Sequence, residues 1–375
     1  MARYPHPRES ARTNLPGRRR AVAQLKTVFL AGAVALLTAL FGTPLFIGLL
    51  RRKGYGQPIR VDGPQSHQTK RGTPTMGGAV FVIASLIGYV IAHVATGIPF
   101  TYSGVLVLAL MTGLGMVGFI DDYIKIFRQR SLGLRSRAKL IGQIVIAAVF
   151  AAEVLQHPDG YGLTPADAHL SFLRDFGPAI GTVPFVIWAV IMVAGTSNAV
   201  NLADGLDGLA AGATVTVLAA YLLIGIWQER NDVTQVLAPQ NYQIRDPLDM
   251  AVVAAAVLGG CLGFLWWNAP PAKIFMGDTG ALALGGALAG LAICTKTQLL
   301  LVILGGLFVI ITMSDVIQVG FFKMTRRRVF KMAPLHHHFE MIGWAETTIV
   351  IRFWLISALC AALGLSIFYT SWLHA

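Results

Sequence analysis

Apolar runs near twenty residues long recur from one end of this chain to the other. A run of that length is what an α-helix needs to cross the hydrocarbon core of a bilayer. They fall at about 28–50, 76–96, 102–120, 138–156, 180–198, 208–227, 250–268, 280–294, 299–320 and 350–372, which predicts ten transmembrane helices. The run at 280–294 is short and glycine-rich. Backbone in lipid must satisfy its own hydrogen bonds, so the expected architecture is an all-α, polytopic bundle. Only 13% of the 375 residues are charged and 55% are hydrophobic, which excludes an ordinary soluble protein. The many Gly and Ala residues in the runs permit close helix approach.

Cys261, Cys294 and Cys360 each fall within a predicted span. Their odd count, wide spacing and apolar neighbours give neither a disulfide framework nor a thiolate metal site. There is no internal repeat and no soluble stretch large enough to fold alone. The expected partition is a basic, Pro- and Arg-rich disordered tail at 1–25 and a single transmembrane domain at 26–375.

The net charge of +12 becomes informative once it is divided among the loops. Loops on the side reached after the first helix, face A, carry eighteen Lys and Arg residues. Those on face B hold only Arg174, Arg230, Arg245 and Lys296. The positive-inside rule makes face A cytoplasmic and puts both termini outside. The seven basic residues of the leading segment run against this trend.

Carboxylates are costly at a membrane, so those at span borders are functional candidates. On face A they cluster. Asp121 and Asp122 close the third span in GFIDDY, Asp204 and Asp207 sit in NLADGLDG, and Asp278 sits in FMGDTG. The last face-A loop holds PLHHHFE, with His336, His337 and His338. Several carboxylates meeting at one border need a cation or protons to neutralise them. Oxygen-only donors favour Mg²⁺ or Mn²⁺ over zinc. A hard cation with lysines such as Lys70 and Lys125 around a phosphate is the recurring recipe for phosphoryl transfer. The glycine-rich turns after these acids would bring backbone and helix N-termini close to an anion.

Each motif also has a plain reading. Paired aspartates at a helix end are often solvated loop acids, and NLADGLDG would serve as a capping turn. The basic loops would orient the chain or bind anionic lipid without any catalytic part, and Lys70 is one of six cations in its loop. An ion-coupled transporter would instead place ionisable groups near the bilayer midplane, often with repeat symmetry. Here the charges gather at one interface.

In chain order, SHQTKRGTPTMGG (66–78), FIDDYIK (119–125), NAVNLADGLDGLA (198–210), WWNAPPAKIFMGDTGAL (266–282) and APLHHHFE (333–340) resemble the phospho-N-acetylmuramoyl-pentapeptide transferase family. The resemblance runs from roughly residue 26 to the C-terminus. The aspartate motifs alone also fit the wider polyprenyl-phosphate N-acetylhexosamine-1-phosphate transferases, including those using UDP-N-acetylglucosamine. PLHHHFE and TPTMGG point to the narrower branch.

The resemblance implies ten transmembrane helices, a cytoplasmic-face active site in the bacterial inner membrane, Mg²⁺ dependence and a homodimer, with no nucleic-acid partner. It implies that undecaprenyl phosphate attacks the sugar-linked phosphate of UDP-N-acetylmuramoyl-pentapeptide, giving lipid I and UMP. By matched position, Asp278 would ligate Mg²⁺, with Asp121 and Asp122 beside the metal and the lipid phosphate and Asp121 as candidate base. Asn201, Asp204 and Asp207 would shape the nucleotide and metal region. Lys70, Asn268 and Phe275 would contact the nucleotide sugar, and the three histidines would border the sugar-diphosphate pocket. A lipid phosphate is already largely ionised near neutrality, its second pKa being about 6, which reduces the need for a strong base. Direct attack and a covalent aspartyl-phosphate route both remain open.

Adjacent histidines on a helix point about 100° apart, so His336, His337 and His338 are badly placed to share one metal. Mg²⁺ also prefers oxygen. The run reads instead as a set of donors to the substrate.

Overall fold

The computed structural model describes residues 16–52, 72–128, 133–231 and 242–373. Its helices are α1 (Pro16–Arg52), α2 (Gly78–Thr96), α3 (Tyr102–Phe127), α4 (Ser136–Glu153), α5 (Thr182–Ala203), α6 (Leu209–Arg230), α7 (Pro247–Asn268), α8 (Gly277–Cys294), α9 (Leu300–Leu304), α10 (Gly306–Thr325), α11 (Leu335–Met341) and α12 (Glu346–Leu373). A two-stranded antiparallel hairpin, β1 (Leu170–Ser171) and β2 (Asp175–Phe176), interrupts the α4–α5 connection. Residues 16–25, expected in a disordered tail, form the first turns of α1 instead. The helix starts with Pro at its first position, where a missing N–H costs nothing.

Among the described residues, nine helices are long and apolar enough to cross a membrane. The tenth expected span, α4, carries Arg137, Lys139 and Glu153 within 18 residues, which takes it below that standard. Its ends nonetheless meet both ends of α3. Lys139 joins the cluster at the α3 C-terminus through Asp278 at 2.9 Å, and Glu153 accepts from Tyr102 at the α3 N-terminus at 2.5 Å. Thus α4 traverses the same thickness as its neighbour. The N-terminal part of α1 also lies at the face-B end, where Gln24 donates to Glu229 at 2.5 Å. The C-terminal part of α12 reaches the same end, stacking Phe368 on Tyr242. Both outer helices therefore finish on one side, as ten crossings require.

The glycine-rich run at 280–294 becomes the centre of the bundle. Every residue of α8 from Thr279 to Cys294 is buried, with α3, α5 and α2 packed round it. Small side chains are what allow a helix to be surrounded on all sides at close range. The run expected as one helix at 299–320 is broken at Gly305, which with Gly306 supplies the sort of pair where helices kink.

At the face-B end a buried polar cluster ties three helices together. Asp249 of α7 accepts from Tyr89 of α2 at 2.7 Å and from Thr101, the N-cap residue of α3, at 2.5 Å. His93 of α2 bridges Asp249 at 2.8 Å and the Ile98 carbonyl at 3.0 Å. A second cluster lies outside the spans on this face, where Lys296 reaches Asp167 and Asp175, each at 2.5 Å.

Candidate active site

Three segments converge at the face-A end because two glycines let them. Gly118 sits one turn before Asp121, and a Cβ there would strike the Asp278 carbonyl, so α3 lies directly on the first turn of α8. Gly277 has φ +73°, a left-handed conformation that L side chains rarely adopt. It turns the chain into α8 with Asp122 and Thr75 pressed against it. The TPTMGG stretch is zipped onto FMGD by backbone bonds. Phe275 N–H donates to Pro74 at 2.8 Å, while Gly77 and Gly78 donate to Phe275 and Met276, both at 2.9 Å.

At this junction Asp121, Asp122 and Asp278 each present a carboxylate oxygen within 4.8 Å of the others. Two ammonium groups hold them together. Lys125 Nζ lies 2.6 Å from Asp121 Oδ2, 2.8 Å from Asp278 Oδ2 and 3.7 Å from Asp122 Oδ1. Lys139 Nζ lies 2.9 Å from Asp278 Oδ2. The Asn201 amide, assigned with its nitrogen toward the carboxylate, donates to Asp278 Oδ1 at 2.8 Å and accepts from Lys139 at 3.1 Å.

The two neighbouring aspartates are used differently. Asp121 accepts the Leu134 N–H at 2.6 Å through Oδ1 and keeps Lys125 on Oδ2. Asp122 accepts from Asp278 N at 3.2 Å, Thr279 N at 2.9 Å and Thr279 Oγ1 at 2.7 Å. Helix α8 has no side-chain cap of its own. Asp122 therefore caps it from α3, taking orphan N–H groups at the positive end of the helix.

The NLADGLDG and 268–275 loops form the adjoining wall. Asp204 ends α5. Burial, with the charges of Asp278, Asp122 and Asp207 nearby, holds its carboxyl well above the usual carboxylate range, against the pull of the Gly277 N–H. Asp207 Oδ2 accepts from Ala272 N at 2.9 Å, and Asn268 Nδ2 donates to the Ile274 carbonyl at 2.9 Å, so both residues shape this loop. Phe275 is half-buried beside them. The three histidines lie on α11. His336 is fully buried against Gly205, His337 contacts Glu340 at 2.6 Å, and His338 accepts the Lys331 N–H at 3.1 Å. The His336 and His337 rings pack edge to face with centroids 4.3 Å apart, while His338 turns the other way, its ring 5.7 Å from that of Phe330.

Of the residues singled out from sequence, Asp121, Asp122, Lys125, Asn201 and Asp278 are in mutual contact. Asp204, Asp207, Asn268 and Phe275 lie on the adjoining loops and His336 packs against Gly205 of NLADGLDG, whereas His337 and His338 contact Glu340 and Lys331, and Lys70 lies outside the described residues. Lys139 and Thr279 were not foreseen. In the sequence Lys139 is one of several loop cations, with nothing to set it apart. Asp121, Asp122 and Asp278 bring carboxylate oxygens close enough together to hold a metal ion, and an oxygen-only donor set suits a hard cation. Lys125 and Lys139 suit the oxygens of a diphosphate.

The family described as glycosyl transferase family 4 matches residues 104–296. Signature 1 of phospho-N-acetylmuramoyl-pentapeptide-transferase matches residues 70–82. Three relatives carry the name phospho-N-acetylmuramoyl-pentapeptide-transferase. One from Kineococcus radiotolerans is 60% identical over 360 residues, covering 93% of this chain and 99% of the relative. One from Beutenbergia cavernae is 59% identical over 355 residues, covering 92% and 98%. One from Streptomyces avermitilis is 57% identical over 352 residues, covering 93% and 99%. With the matched segments spanning α3 to α8 and meeting at the carboxylate cluster, the chain belongs to the phospho-N-acetylmuramoyl-pentapeptide-transferase family.

Proposed function

We propose that this transferase moves phospho-N-acetylmuramoyl-pentapeptide from its UDP-linked donor to undecaprenyl phosphate, releasing UMP and forming lipid I for peptidoglycan synthesis. The observation that carries the reading is the meeting of three carboxylates and two lysines at one end of a membrane bundle. A water-soluble diphosphate and a lipid phosphate can both reach such a border site. A phosphate oxygen of the lipid bonds to the sugar-linked phosphorus, and the anhydride bond to the uridine-side phosphate breaks, its electron pair leaving with UMP.

Asp278, with Asp121 alongside, would hold Mg²⁺, which when bound would supply Lewis-acid neutralisation of the diphosphate. Lys125 and Lys139 exchange carboxylate partners for phosphate oxygens and bring the two anions together. Asp121 holds Lys125 in line and accepts a proton from the minor monoprotonated lipid phosphate. Asp122 fixes the backbone of Asp278. Asn201 orients Asp278, while Asp204 and Asp207 set the loop beside it. Asn268, Phe275 and Lys70 receive the nucleotide, and His336, His337 and His338 border the sugar-diphosphate side.

The loop charges support a site on the cytoplasmic face of the bacterial inner membrane with both termini outside. A single catalytic domain acting as a homodimer completes the reading. Purified protein with Mg²⁺, undecaprenyl phosphate and UDP-N-acetylmuramoyl-pentapeptide should release UMP. Turnover on UDP-N-acetylglucosamine instead would overturn the donor assignment. Asp278→Asn should lose Mg²⁺-dependent turnover, and near-normal activity would remove it as metal ligand.

A further inference from the structure

Beyond Ser314, whose Oγ takes the Leu335 N–H at 2.9 Å, α10 continues to Thr325. That is ~16 Å of further rise past the start of α11. Along it Val316, Ile317, Val319, Phe321, Phe322 and Met324 are exposed, Met324 to 85%. At about 100° per residue these positions cover all of the helix except the side of Gln318, which faces the returning chain, and a helix apolar over most of its circumference belongs in a membrane. At the tip the chemistry reverses. Lys323, Arg326, Arg327, Arg328 and Lys331 are exposed, and no acidic residue occurs from Val316 to Met332.

The cations sit on a built turn. Arg326 adopts φ 57° and reverses the chain. Gln318 clasps the return, its Oε1 accepting from Val329 N at 3.1 Å and Phe330 N at 2.9 Å, its Nε2 donating to Phe330 O at 3.0 Å. The turn is also wired to the histidine helix, since Lys331 donates to His338 through its N–H at 3.1 Å and to the Met341 carbonyl through Nζ at 3.3 Å.

We infer that the α10 tip is a docking surface for anionic phospholipid, its apolar collar among acyl chains and its cations on headgroup phosphates. Collar and cations share one helix end, so the occupant must supply hydrocarbon and negative charge together. A zwitterionic lipid lacks the net charge, and an acidic protein face lacks the hydrocarbon. Binding there steadies α11 through Lys331. The inference stands on the geometry of α10 and is independent of which sugar nucleotide the site uses.

The test reads binding rather than turnover. A full-length variant with its native cysteines replaced by alanine and Met324→Cys carrying bimane is placed in phosphatidylcholine nanodiscs. Quenching is titrated with brominated phosphatidylglycerol or brominated phosphatidylcholine. Phosphatidylglycerol should half-quench at a several-fold lower mole fraction, each cation near an anionic surface contributing about fivefold at low salt. Arg326→Gln/Arg327→Gln/Arg328→Gln should erase that advantage and leave phosphatidylcholine quenching in place. The labelled protein with its arginines intact supplies a second check, because its phosphatidylglycerol advantage must shrink as salt rises. Equal quenching by both lipids overturns the inference, as do an advantage insensitive to the triple substitution or to salt, and an absence of quenching by either lipid.

Discussion

Asp122 offers the sharpest quantitative test of how the site is assembled. Its carboxylate is 4% exposed and accepts three hydrogen bonds from the first turn of α8. Asp122→Ala strands two backbone N–H groups and a hydroxyl at a buried helix end. Hydrogen bonds to a charged acceptor contribute about 1.5–3 kcal/mol each and do not add fully. The expected loss is about 3–5 kcal/mol, read as a fall in Tm in detergent or nanodiscs. Asp122→Asn keeps one good acceptor and should cost about 1–2 kcal/mol. Its effect on catalysis runs through Asp278, whose backbone the cap fixes, and an ångström of misplacement lowers rate by about a hundredfold. In UMP-release kinetics Asp122→Asn should lower kcat tenfold or more, with the KM for donor and the half-activating Mg²⁺ concentration within about twofold of the parent. Unchanged Tm and kcat in Asp122→Ala would refute the capping role. A large rise in Mg²⁺ requirement at unchanged Tm would make Asp122 a metal ligand instead.

Gly118→Ala places a methyl against α8 backbone, 2.6 Å from Thr279 N, and backbone cannot yield cheaply. A destabilisation of about 1–3 kcal/mol with loss of turnover is expected, and wild-type Tm and rate would contradict the α3–α8 contact. Lys139→Gln removes an ammonium from Asp278 and should reduce kcat/KM by about a hundredfold, with loss of less than about twofold relegating Lys139 to a bystander. On face B, Lys296→Met tests a pH window. Burial opposes ionisation of Asp167 and Lys296, but their mutual pairing outweighs it, lowering Asp167 and raising Lys296. Asp167 then adds stability above the ordinary carboxylate value of about 3.9, lost as pH falls below it. Lys296 adds stability below about 10.4, lost as pH rises through its raised value. Asp175 is pushed up, by burial first, and subtracts from the plateau. Tm against pH should therefore lose both limbs in Lys296→Met, and superimposable profiles would refute the assignment.

The membrane class, nearly all the spans and the side on which the motifs gather were legible because lipid imposes one rule on every segment: satisfy the backbone internally and keep charge at the borders. Where tertiary contact overrides that rule, the sequence is silent. The charges at the ends of α4 disqualify it by composition, yet Lys139 and Glu153 are there to grip the ends of its neighbour. The short, glycine-rich α8 is the most enclosed helix because small residues admit neighbours on every side. FIDDY presents two equivalent aspartates, and only the fold separates the one that clasps Lys125 from the one that caps α8. The short face-B hairpin carries too few residues for any periodic signal.

The polar cluster at the far end bears on how the site rides in the bilayer. Helices α2, α3 and α7 are fastened there through Asp249, and α3 is fastened again to α8 through Asp122 at the other end. Helix α3, pinned at both ends, cannot slide along its neighbours. A mismatch between helix length and hydrocarbon thickness costs only fractions of a kcal/mol per ångström, less than breaking either pin. In a thinner or thicker membrane α3 should therefore tilt together with α8 rather than slide past it, leaving the spacing between Asp121 and Asp278 unchanged.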